Sequence, residues 1–307
     1  MLPRMAAACN DPHTDPDALA DLLAWREAYR ARLLGATGWW AVSNLCWLDD
    51  ADAAWLGGGS DDALRLPARV PARLALIERQ DDALTVTPTV PGSLVLDGAS
   101  IEGPVRSPVG ARLTLRDDPD VCVAVVVRGD RWGVRVFDAA QARARHADPV
   151  GWFEPDTGWC VDAVAEAPAA GATLTIVDVL GATHEAAVAA RLRFALGGRE
   201  HALLATHAGE RLFLNFRDAT NGTETYGAGR FLSAPLPIDG RTVLDFHRAH
   251  HPPCAHTPYA MCPLPPLANR LAVAVRAGER WPEAAAIDRT PTRRTRHDAR
   301  TPGGASR

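Results

Sequence analysis

The sequence predicts a mainly β protein: two sandwich- or barrel-like β halves with an N-terminal amphipathic helix and a disordered C-terminal tail. From residue 66 onward, apolar residues recur at every second position in short runs, which is the period of a strand. Turn residues separate these runs at short intervals, a pattern typical of sandwiches and barrels rather than of alternating helices and strands. A helical period occupies the N-terminal region, and apolar residues almost disappear after residue 288.

The N-terminal helix begins at a capping signal. Asp15-Pro16-Asp17 supplies an N-cap acid, a proline in the first turn and a further acid. Gly35 is predicted to end the helix. An amphipathic helix of this kind docks on a larger body, and its apolar side chains fall roughly on one face: Leu19, Leu22, Leu23, Tyr29 and Leu33.

Two series of β-rich runs follow the helix. The first covers residues 73–77, 83–87, 93–96, 112–115, 121–128 and 133–137, and the second covers 173–179, 187–195, 201–205, 211–216 and 230–232. Residues 140–172, rich in Ala, Pro and Gly, are predicted to link the two series. We therefore expect a helix at 1–35, a first β domain at 36–145, a second at 146–287, and a tail at 288–307 that has too few apolar residues to fold.

Composition restricts the partners that we expect. The chain has 33 Lys plus Arg against 37 Asp plus Glu, a formal net charge of -4, which gives no general attraction to nucleic acid or to an anionic membrane. It contains no run of about 18 apolar residues that could span a bilayer. Residues 6–9, Ala-Ala-Ala-Cys, resemble a lipoprotein cleavage box, but the apolar segment of a signal peptide does not precede them. These features predict a cytoplasmic protein.

The six cysteines are spread along the chain and include no C-x-x-C: Cys9, Cys46, Cys122, Cys160, Cys254 and Cys262. In a reducing compartment most cysteines are free thiols. We therefore expect no stoichiometric structural disulfide.

The first of two dense polar motifs is FRDATNGTETYGAGRFL, residues 216–232. Asn221-Gly222 is a strong turn signal and predicts a hairpin here. Gly227 and Gly229 permit a second backbone excursion with positive φ. Polar side chains held between such turns are typical of functional loops on a rigid scaffold.

Arg230 is the principal ligand-binding candidate of this motif, because its planar guanidinium suits a carboxylate or phosphate. Asp218 either pairs with Arg230 or, if desolvated, acts as a base. Tyr226 is a further catalytic candidate, and Thr220 and Thr225 are ligand-binding candidates. The alternative is a buried Asp–Arg pair whose neighbouring threonines satisfy the backbone of the turn.

The second motif is LDFHRAHHPPCAHTPYAMCPLPPLANRL, residues 244–271. Asp245 is a catalytic candidate, and Arg248 and Asn269 are ligand-binding candidates. Imidazole and thiolate groups are zinc and copper ligands, but their spacing here matches no standard site. We therefore predict no metal and retain only weak candidate ligands: His247, His250, His251, Cys254, His256 and Cys262.

Cys254 is also a candidate nucleophile, because His250 or His251 could serve as its base. A redox pair of Cys254 with Cys262 is a second interpretation, and two small buried thiols are a third. The chain has no G-x-S-x-G, P-loop, G-x-G-x-x-G or H-E-x-x-H motif, so no standard motif supports a serine hydrolase, a nucleotide-binding protein or a zincin.

The two motifs carry a family resemblance. The patterns F-x-D-x-T-x-G-x-x-T-Y-G-x-G-R-F-L, L-D-F-x-R-A-x-x-P-P-C-A and C-P-L-P-P-x-x-N-R-L resemble the bacterial family called domain of unknown function 1684, over roughly residues 36–283. The family name implies no activity. Its pattern has Asn, Tyr, Asn and Phe where this chain has His247, His250, His251 and His256, so the resemblance implies no shared metal site. Residues 54–115 are also loosely similar to a forkhead-associated sandwich, without its phosphate clamp.

We therefore expect a protein that binds a small polar, anionic ligand in a pocket built by residues 216–232 and 244–271. Acid–base or hydrolytic chemistry is left open, with no cofactor and no prediction of oligomeric state. The alternative is a non-catalytic protein-interaction module with a forkhead-associated-like sandwich. An enclosed cavity lined by Asp218, Tyr226, Arg230 and Asp245 would favour the ligand, and a flat loop face would favour the protein partner.

Overall fold

The computed structural model describes residues 11–48, 53–80, 83–128, 131–179 and 181–281. The predicted tail at 288–307 and the cleavage-box-like residues 6–9 lie outside these ranges. The described chain is mainly β, as the alternating pattern predicts. Its first part comprises α1 (Pro16–Leu34), β1 (Val42–Leu48), β2 (Ala53–Gly57), β3 (Leu64–Arg65), β4 (Ala75–Gln80), β5 (Ala83–Pro88), β6 (Leu94–Leu96), β7 (Ala99–Ile101), β8 (Val105–Ser107), β9 (Arg112–Leu115), β10 (Val121–Arg128), β11 (Arg131–Asp138) and α2 (Ala139–Ala144).

The second part contains ten strands and three short 3₁₀ turns among the described residues. These are β12 (Gly151–Trp152), β13 (Cys160–Glu166), β14 (Thr173–Val177), β15 (Thr183–Ala187), β16 (Ala190–Leu196), β17 (Arg199–Ala208), β18 (Arg211–Phe216), β19 (Arg230–Pro235), β20 (Arg241–Asp245), β21 (Glu279–Arg280), and the turns Phe246–Arg248, Pro253–Ala255 and Leu267–Asn269.

Helix α1 starts and ends where the sequence predicts. The Asp15 side chain accepts hydrogen bonds from the backbone N–H of Asp17 and Ala18, and Gly35 is the C-cap. Leu22, Tyr29 and Leu33 are buried. Leu23 is 52% exposed, which corrects its predicted place on the buried face. The reason is that adjacent helical residues point about 100° apart, so Leu22 and Leu23 cannot share one narrow stripe.

The first β half is a sandwich. One sheet has the order β1-β11-β10-β9-β6-β7 and the other β3-β2-β4-β5-β8. Both sheets contribute to one hydrophobic core, for example Leu56 and Ile77 from one sheet and Val123 and Val134 from the other. Burying such side chains between two sheets is what their period-two pattern predicts.

The second β half is a nearly closed antiparallel barrel with the order β19-β18-β17-β16-β13-β20. The two end strands approach each other, and the Thr242 hydroxyl donates to the Pro235 carbonyl at 2.8 Å. Along β16, Leu192 and Phe194 point into the barrel core while Arg193 is exposed. This alternation separates an inner face from an outer face on every barrel strand.

The predicted linker at residues 140–172 instead contains a barrel strand. Strand β13 pairs with both β16 and β20. Its apolar alternation is hard to recognise because small alanines, Ala163 and Ala165, occupy positions where larger side chains usually mark the inner face. The predicted domain boundaries at residues 35/36 and 145/146 remain predictions.

Helix α1 packs where the two β halves approach each other. A third cluster joins Tyr29 and Leu33 of the helix to Trp40, Phe137 and Ala142. Neither helix in the described residues has the length and hydrophobicity that crossing a bilayer requires.

Cys160 is disulfide-bonded, which corrects the expectation of no structural disulfide. The absence of a C-x-x-C motif does not exclude this bond, because folding brings together cysteines that are far apart in sequence. Cys46, Cys122, Cys254 and Cys262 are reduced thiols.

We predict that Cys160 resists alkylation until the protein is reduced. In denaturant without reductant, iodoacetamide should modify Cys46 and Cys254 but leave Cys160 unmodified, and prior reduction should expose it. Peptide mapping by mass spectrometry measures this. Equal modification of Cys160 and Cys46 before reduction would contradict the bond.

Candidate functional site

Arg230 lies inside the protein rather than on a ligand-binding surface. Its side chain and that of Asp218 have 0% exposure, and Nη2 donates to Asp218 Oδ2 at 2.8 Å. The guanidinium also donates to the carbonyls of Val275 and Ala277. Burial lowers the pKa of Arg230, and the Asp218 carboxylate opposes this effect. This geometry favours the buried Asp–Arg pair that the sequence left open.

The threonines of the first motif complete this buried network. Asp218 Oδ1 accepts from the Thr220 hydroxyl at 2.6 Å and from the Val275 N–H at 3.2 Å. The hydroxyls of Thr220 and Thr225 are 2.8 Å apart, and Asn221 donates to Thr225 at 2.9 Å. The hydroxyl and amide groups bond to one another within the loop, and Asp218 and Arg230 bond to the backbone of residues 275–277. The network therefore fixes loop 217–229 to residues 275–277.

Two turn predictions in this motif have different outcomes. Strands β18 and β19 form an antiparallel pair, so the motif does form a hairpin, but a loop over residues 217–229 joins the strands. Gly229 has the predicted positive φ, +103°, whereas the φ of Gly227 is not positive, which corrects that part of the prediction. A Cβ atom on Gly229 would lie 2.5 Å from Pro265 and 2.6 Å from the Phe216 carbonyl oxygen. Gly229 is therefore required by both conformation and space.

Asp245 and Arg248 join the second motif to helix α1. Asp245 Oδ2 accepts from Arg248 Nε at 2.9 Å, and Oδ1 lies 2.9 Å from His247 Nδ1. Burial raises the pKa of Asp245, but His247 and Arg248 outweigh it and the pKa is lowered. Arg248 also pairs with Asp21 of the helix at 2.5 Å. Asp245 therefore acts as the centre of a structural ion-pair cluster.

The cysteines and histidines of the second motif do not converge on one point. Within the described residues, no group of three His, Cys, Asp or Glu side chains is arranged to hold a metal ion. The Cys254 N–H donates to Cys262 Sγ at 3.1 Å. The neighbouring Cys254 and burial raise the pKa of Cys262, which favours an inert thiol. His250 packs against the Tyr29 ring, with ring centroids 5.2 Å apart, and burial lowers its pKa.

Asn269, a predicted ligand contact, ties the proline-rich segment to the barrel and also lines the larger cavity described below. Its side chain exchanges hydrogen bonds with Leu204 N and O at 2.7 and 2.8 Å and donates to the Asn215 carbonyl at 3.0 Å. Tyr226 donates its hydroxyl to the Cys254 carbonyl at 3.2 Å. Asp218, Tyr226, Arg230 and Asp245 line neither of the cavities described below.

The structure reveals a residue that the sequence analysis missed, Glu279. Its carboxylate is 4% exposed and accepts from the His251 N–H at 2.7 Å and from the Tyr29 hydroxyl at 2.9 Å. His251 Nδ1 lies 3.3 Å away and His256 Nε2 3.8 Å away. Burial raises the pKa of Glu279, but His251 and His256 outweigh it and lower the pKa to about 2.

The hydrogen bonds of His256 determine the tautomer of its neutral ring. Trp40 Nε1–H donates to His256 Nδ1 at 3.2 Å, so the ring proton of the neutral form is on Nε2. Nε2 faces the Tyr29 hydroxyl oxygen at 3.1 Å. Burial lowers the pKa of His256 to about 4, against the opposing charge of Glu279. His256 is therefore neutral near pH 7.

A cavity of about 340 Å³ opens beside this network, and we call it the junction cavity. Residues 145–151, at the C-terminal end of α2, form one side of it. Its titratable and aromatic lining comprises Trp40, Arg145, Asp148, His251, His256, Glu279 and Trp281. Of the predicted site residues, His251 and His256 line this cavity, and Asn269 lines the larger cavity described below.

Arg145 supplies the cationic group of the junction cavity. Its guanidinium carbon lies 4.5 Å from the Trp40 ring centroid, and Nη1 donates to the His256 carbonyl at 3.3 Å. Nε pairs with Asp148 at 2.9 Å, and these side chains are 36% and 53% exposed. An exposed ion pair contributes only about 0–1 kcal/mol, so another anion can readily replace Asp148.

We predict that Arg230→Lys destabilises the protein by about 2–4 kcal/mol. One ammonium group cannot serve Asp218 and two backbone carbonyls in the planar arrangement of a guanidinium. Urea unfolding measures the change, with Arg211→Lys, an exposed position on β18, as the matched control. Equal stability of the two variants would contradict the structural role that we assign to Arg230.

We predict a loss of stability on acidification that His256 controls. Its pKa is about 4 in the folded protein, below the ordinary histidine value of 6.5, so unfolded His256 binds a proton that the folded ring does not. The stabilisation is complete above about pH 6.5 and falls toward pH 4, by about 2 kcal/mol between pH 7.5 and 5. Urea unfolding at several pH values should show a shallower dependence for His256→Gln. Parallel curves for His256→Gln, the native chain and His207→Gln, an exposed control, would contradict this prediction.

The comparisons with known proteins agree with the motifs described above. None of the curated proteins matches the chain significantly. An uncharacterized protein of Haloarcula marismortui, solved by NMR, is 32% identical over 46% of this chain and 80% of its own, with a TM-score of 0.38. The family model described as "Protein of unknown function (DUF1684)" matches residues 147–280, a segment that contains both motifs and is shorter than the roughly 36–283 expected from the sequence. By this match, the chain belongs to that family.

Proposed function

We propose that the protein binds a small polar anion in the junction cavity, with Arg145 as the group that recognises it. The main support for this proposal is the partly exposed Arg145 guanidinium, which contacts Trp40 and the His256 carbonyl and, within the described residues, forms an ion pair with the exposed Asp148 alone. A positioned guanidinium with an exchangeable partner is suited to a carboxylate or a phosphate.

The other residues that line the junction cavity would select a ligand by its shape and polarity. The indoles of Trp40 and Trp281 provide flat apolar walls, and the His251 and Trp281 rings are 4.9 Å apart. The Glu279 carboxylate accepts hydrogen bonds from the His251 backbone N–H and the Tyr29 hydroxyl, and His251 Nδ1 lies 3.3 Å from it. A few fixed polar groups on an otherwise apolar wall are typical of small-molecule sites.

We propose binding and assign no reaction. His251 Nε2 accepts from the Tyr226 N–H at 3.2 Å, and both ring nitrogens of His256 face Trp40 and Tyr29. A general base needs a nitrogen that reaches the substrate proton. Because these nitrogens have protein partners, the arrangement supports recognition more directly than acid–base catalysis.

A cytoplasmic location belongs to this proposal. The disulfide at Cys160 is the observation that counts against it, since disulfides persist mainly in oxidising compartments. Alkylation of Cys160 in intact cells, before lysis, distinguishes the two locations.

We predict that Arg145→Gln weakens anion binding about tenfold or more. Native mass spectrometry of freshly purified protein tests for a retained anion, and thermal shifts with succinate, citrate and inorganic phosphate test added ones. The matched control is Arg143→Gln, because Arg143 lies on α2, pairs with Asp120 and does not line the cavity.

The control variant should bind like the native chain. The proposal fails if no retained or added anion binds the native protein. It also fails if Arg145→Gln and Arg143→Gln bind the same anion equally.

A further inference from the structure

A second, larger cavity of about 880 Å³ lies between the β14–β15 hairpin and the outer face of the barrel, and we call it the hairpin cavity. On β17 and β18 the barrel core takes Leu203, Leu212 and Leu214. The alternate residues Leu204 and Phe213 point outward and line the cavity. The cavity is therefore separate from the barrel core.

Backbone hydrogen bonds hold the hairpin over this space. The Val179 N–H donates to the Cys262 carbonyl at 3.0 Å, and the Leu264 N–H donates to the Val177 carbonyl at 2.7 Å. The proline-rich segment thus fixes one end of the hairpin and contributes part of the wall. This arrangement preforms the cavity rather than leaving a loose flap.

Most of the cavity wall is apolar, and its volume is in the range of small-molecule sites, about 300–1,000 Å³. Its larger apolar side chains are Leu174, Ile176, Leu204, Phe213, Met261 and Pro266. A ligand that fills this space must have a substantial apolar body, because burying such surface contributes about 25 cal/mol per Å².

Asn215 places an unsatisfied acceptor at this wall. The residue is 5% exposed, and its side-chain nitrogen donates to the Pro263 carbonyl at 2.8 Å. Its Oδ1 is buried and has no hydrogen-bond partner in the described part of the chain. A buried acceptor without a partner is costly, so a ligand donor that reaches Oδ1 would be favoured.

The same cavity is lined by two arginines. Arg128 and Arg131 line it, and neither pairs with a carboxylate within the ranges that the structure describes. The Arg131 guanidinium carbon lies 4.5 Å from the Trp47 ring centroid, which restrains its position. Asp178 is the acidic residue of the lining, and its Oδ1 accepts from the Ala182 N–H at 3.0 Å.

We propose that the hairpin cavity binds an apolar molecule that carries one anionic group and one hydrogen-bond donor. The anion meets Arg128 and Arg131, the donor meets Asn215 Oδ1, and the apolar body fills the space between the hairpin and the barrel. This site shares no lining residue with the junction cavity. The two proposals can therefore be tested independently of each other.

The probe 8-anilino-1-naphthalenesulfonate matches this description, because it has apolar rings, a sulfonate and an N–H donor. Two partners test its features one at a time. N-phenyl-1-naphthylamine keeps the rings and the N–H but lacks the charge, and the N-methylated sulfonate keeps the charge but lacks the donor. Fluorescence titration of the full chain should give one saturable site for the parent probe.

The variants identify the cavity. Ala186→Trp, on the hairpin wall, should fill the space and weaken all three probes about tenfold or more. Arg131→Gln should weaken the sulfonate about tenfold and leave the neutral probe within about twofold. Arg199→Gln is the matched control, because Arg199 is exposed on β17 and does not line the cavity. N-methylation should weaken the sulfonate about fivefold or more in the native chain.

Cooperative urea unfolding checks that each variant is folded, and Leu174→Trp replaces Ala186→Trp if the latter is not. The proposal is overturned if the native chain binds no probe, or if a folded cavity-filling variant binds as tightly as the native chain. Equal effects of Arg131→Gln on charged and neutral probes would overturn the anionic feature. Equal binding of the methylated and parent sulfonates would overturn the donor feature.

Discussion

The buried carboxylate of Glu279 is the constraint on which the junction of the molecule depends. A buried charge costs several kcal/mol unless donors surround it. Those donors come from separate parts of the chain, the Tyr29 hydroxyl on helix α1 and the His251 backbone N–H in the proline-rich motif, where His251 Nδ1 also lies 3.3 Å away. Helix α1 and the proline-rich motif must therefore be placed correctly relative to residue 279 before Glu279 is stable.

Most charged residues of the two dense polar motifs form ion pairs within the protein. Asp218 and Arg230 neutralise each other in the interior, and Asp245 and Arg248 join the barrel to the helix. The space that a ligand could enter lies beside the motifs. The two cavities are lined by residues outside the two dense motifs, such as Arg145, Arg128 and Asn215.

Sequence reasoning predicted the helix caps, the β class and eleven of the 21 described strands, because caps and period-two alternation are local properties, but it missed β1, β2 and β20 among others. The edges of β9, β10 and β18 were predicted to the residue. Strand β13 was missed because alanines replace large side chains on its inner face. The role of Arg230 could not be decided, because residue type alone does not distinguish a buried pair from an exposed one. The buried role of Glu279 could not be predicted, because the surrounding sequence AGERW contains no recognisable motif and its partners are distant in the chain.

The attachment of residues 275–279 has a consequence for the order of synthesis. The Arg230 guanidinium donates hydrogen bonds to the carbonyls of Val275 and Ala277, and the Glu279 carboxylate accepts one from the Tyr29 hydroxyl. A nascent chain that has not yet exposed these residues holds a guanidinium and a helix without their final partners. The Arg230 loop and the Glu279 junction can therefore reach their native arrangement only after almost the whole described chain has been synthesised, whereas the apolar partners of α1, such as Phe137 and Ala142, are synthesised much earlier.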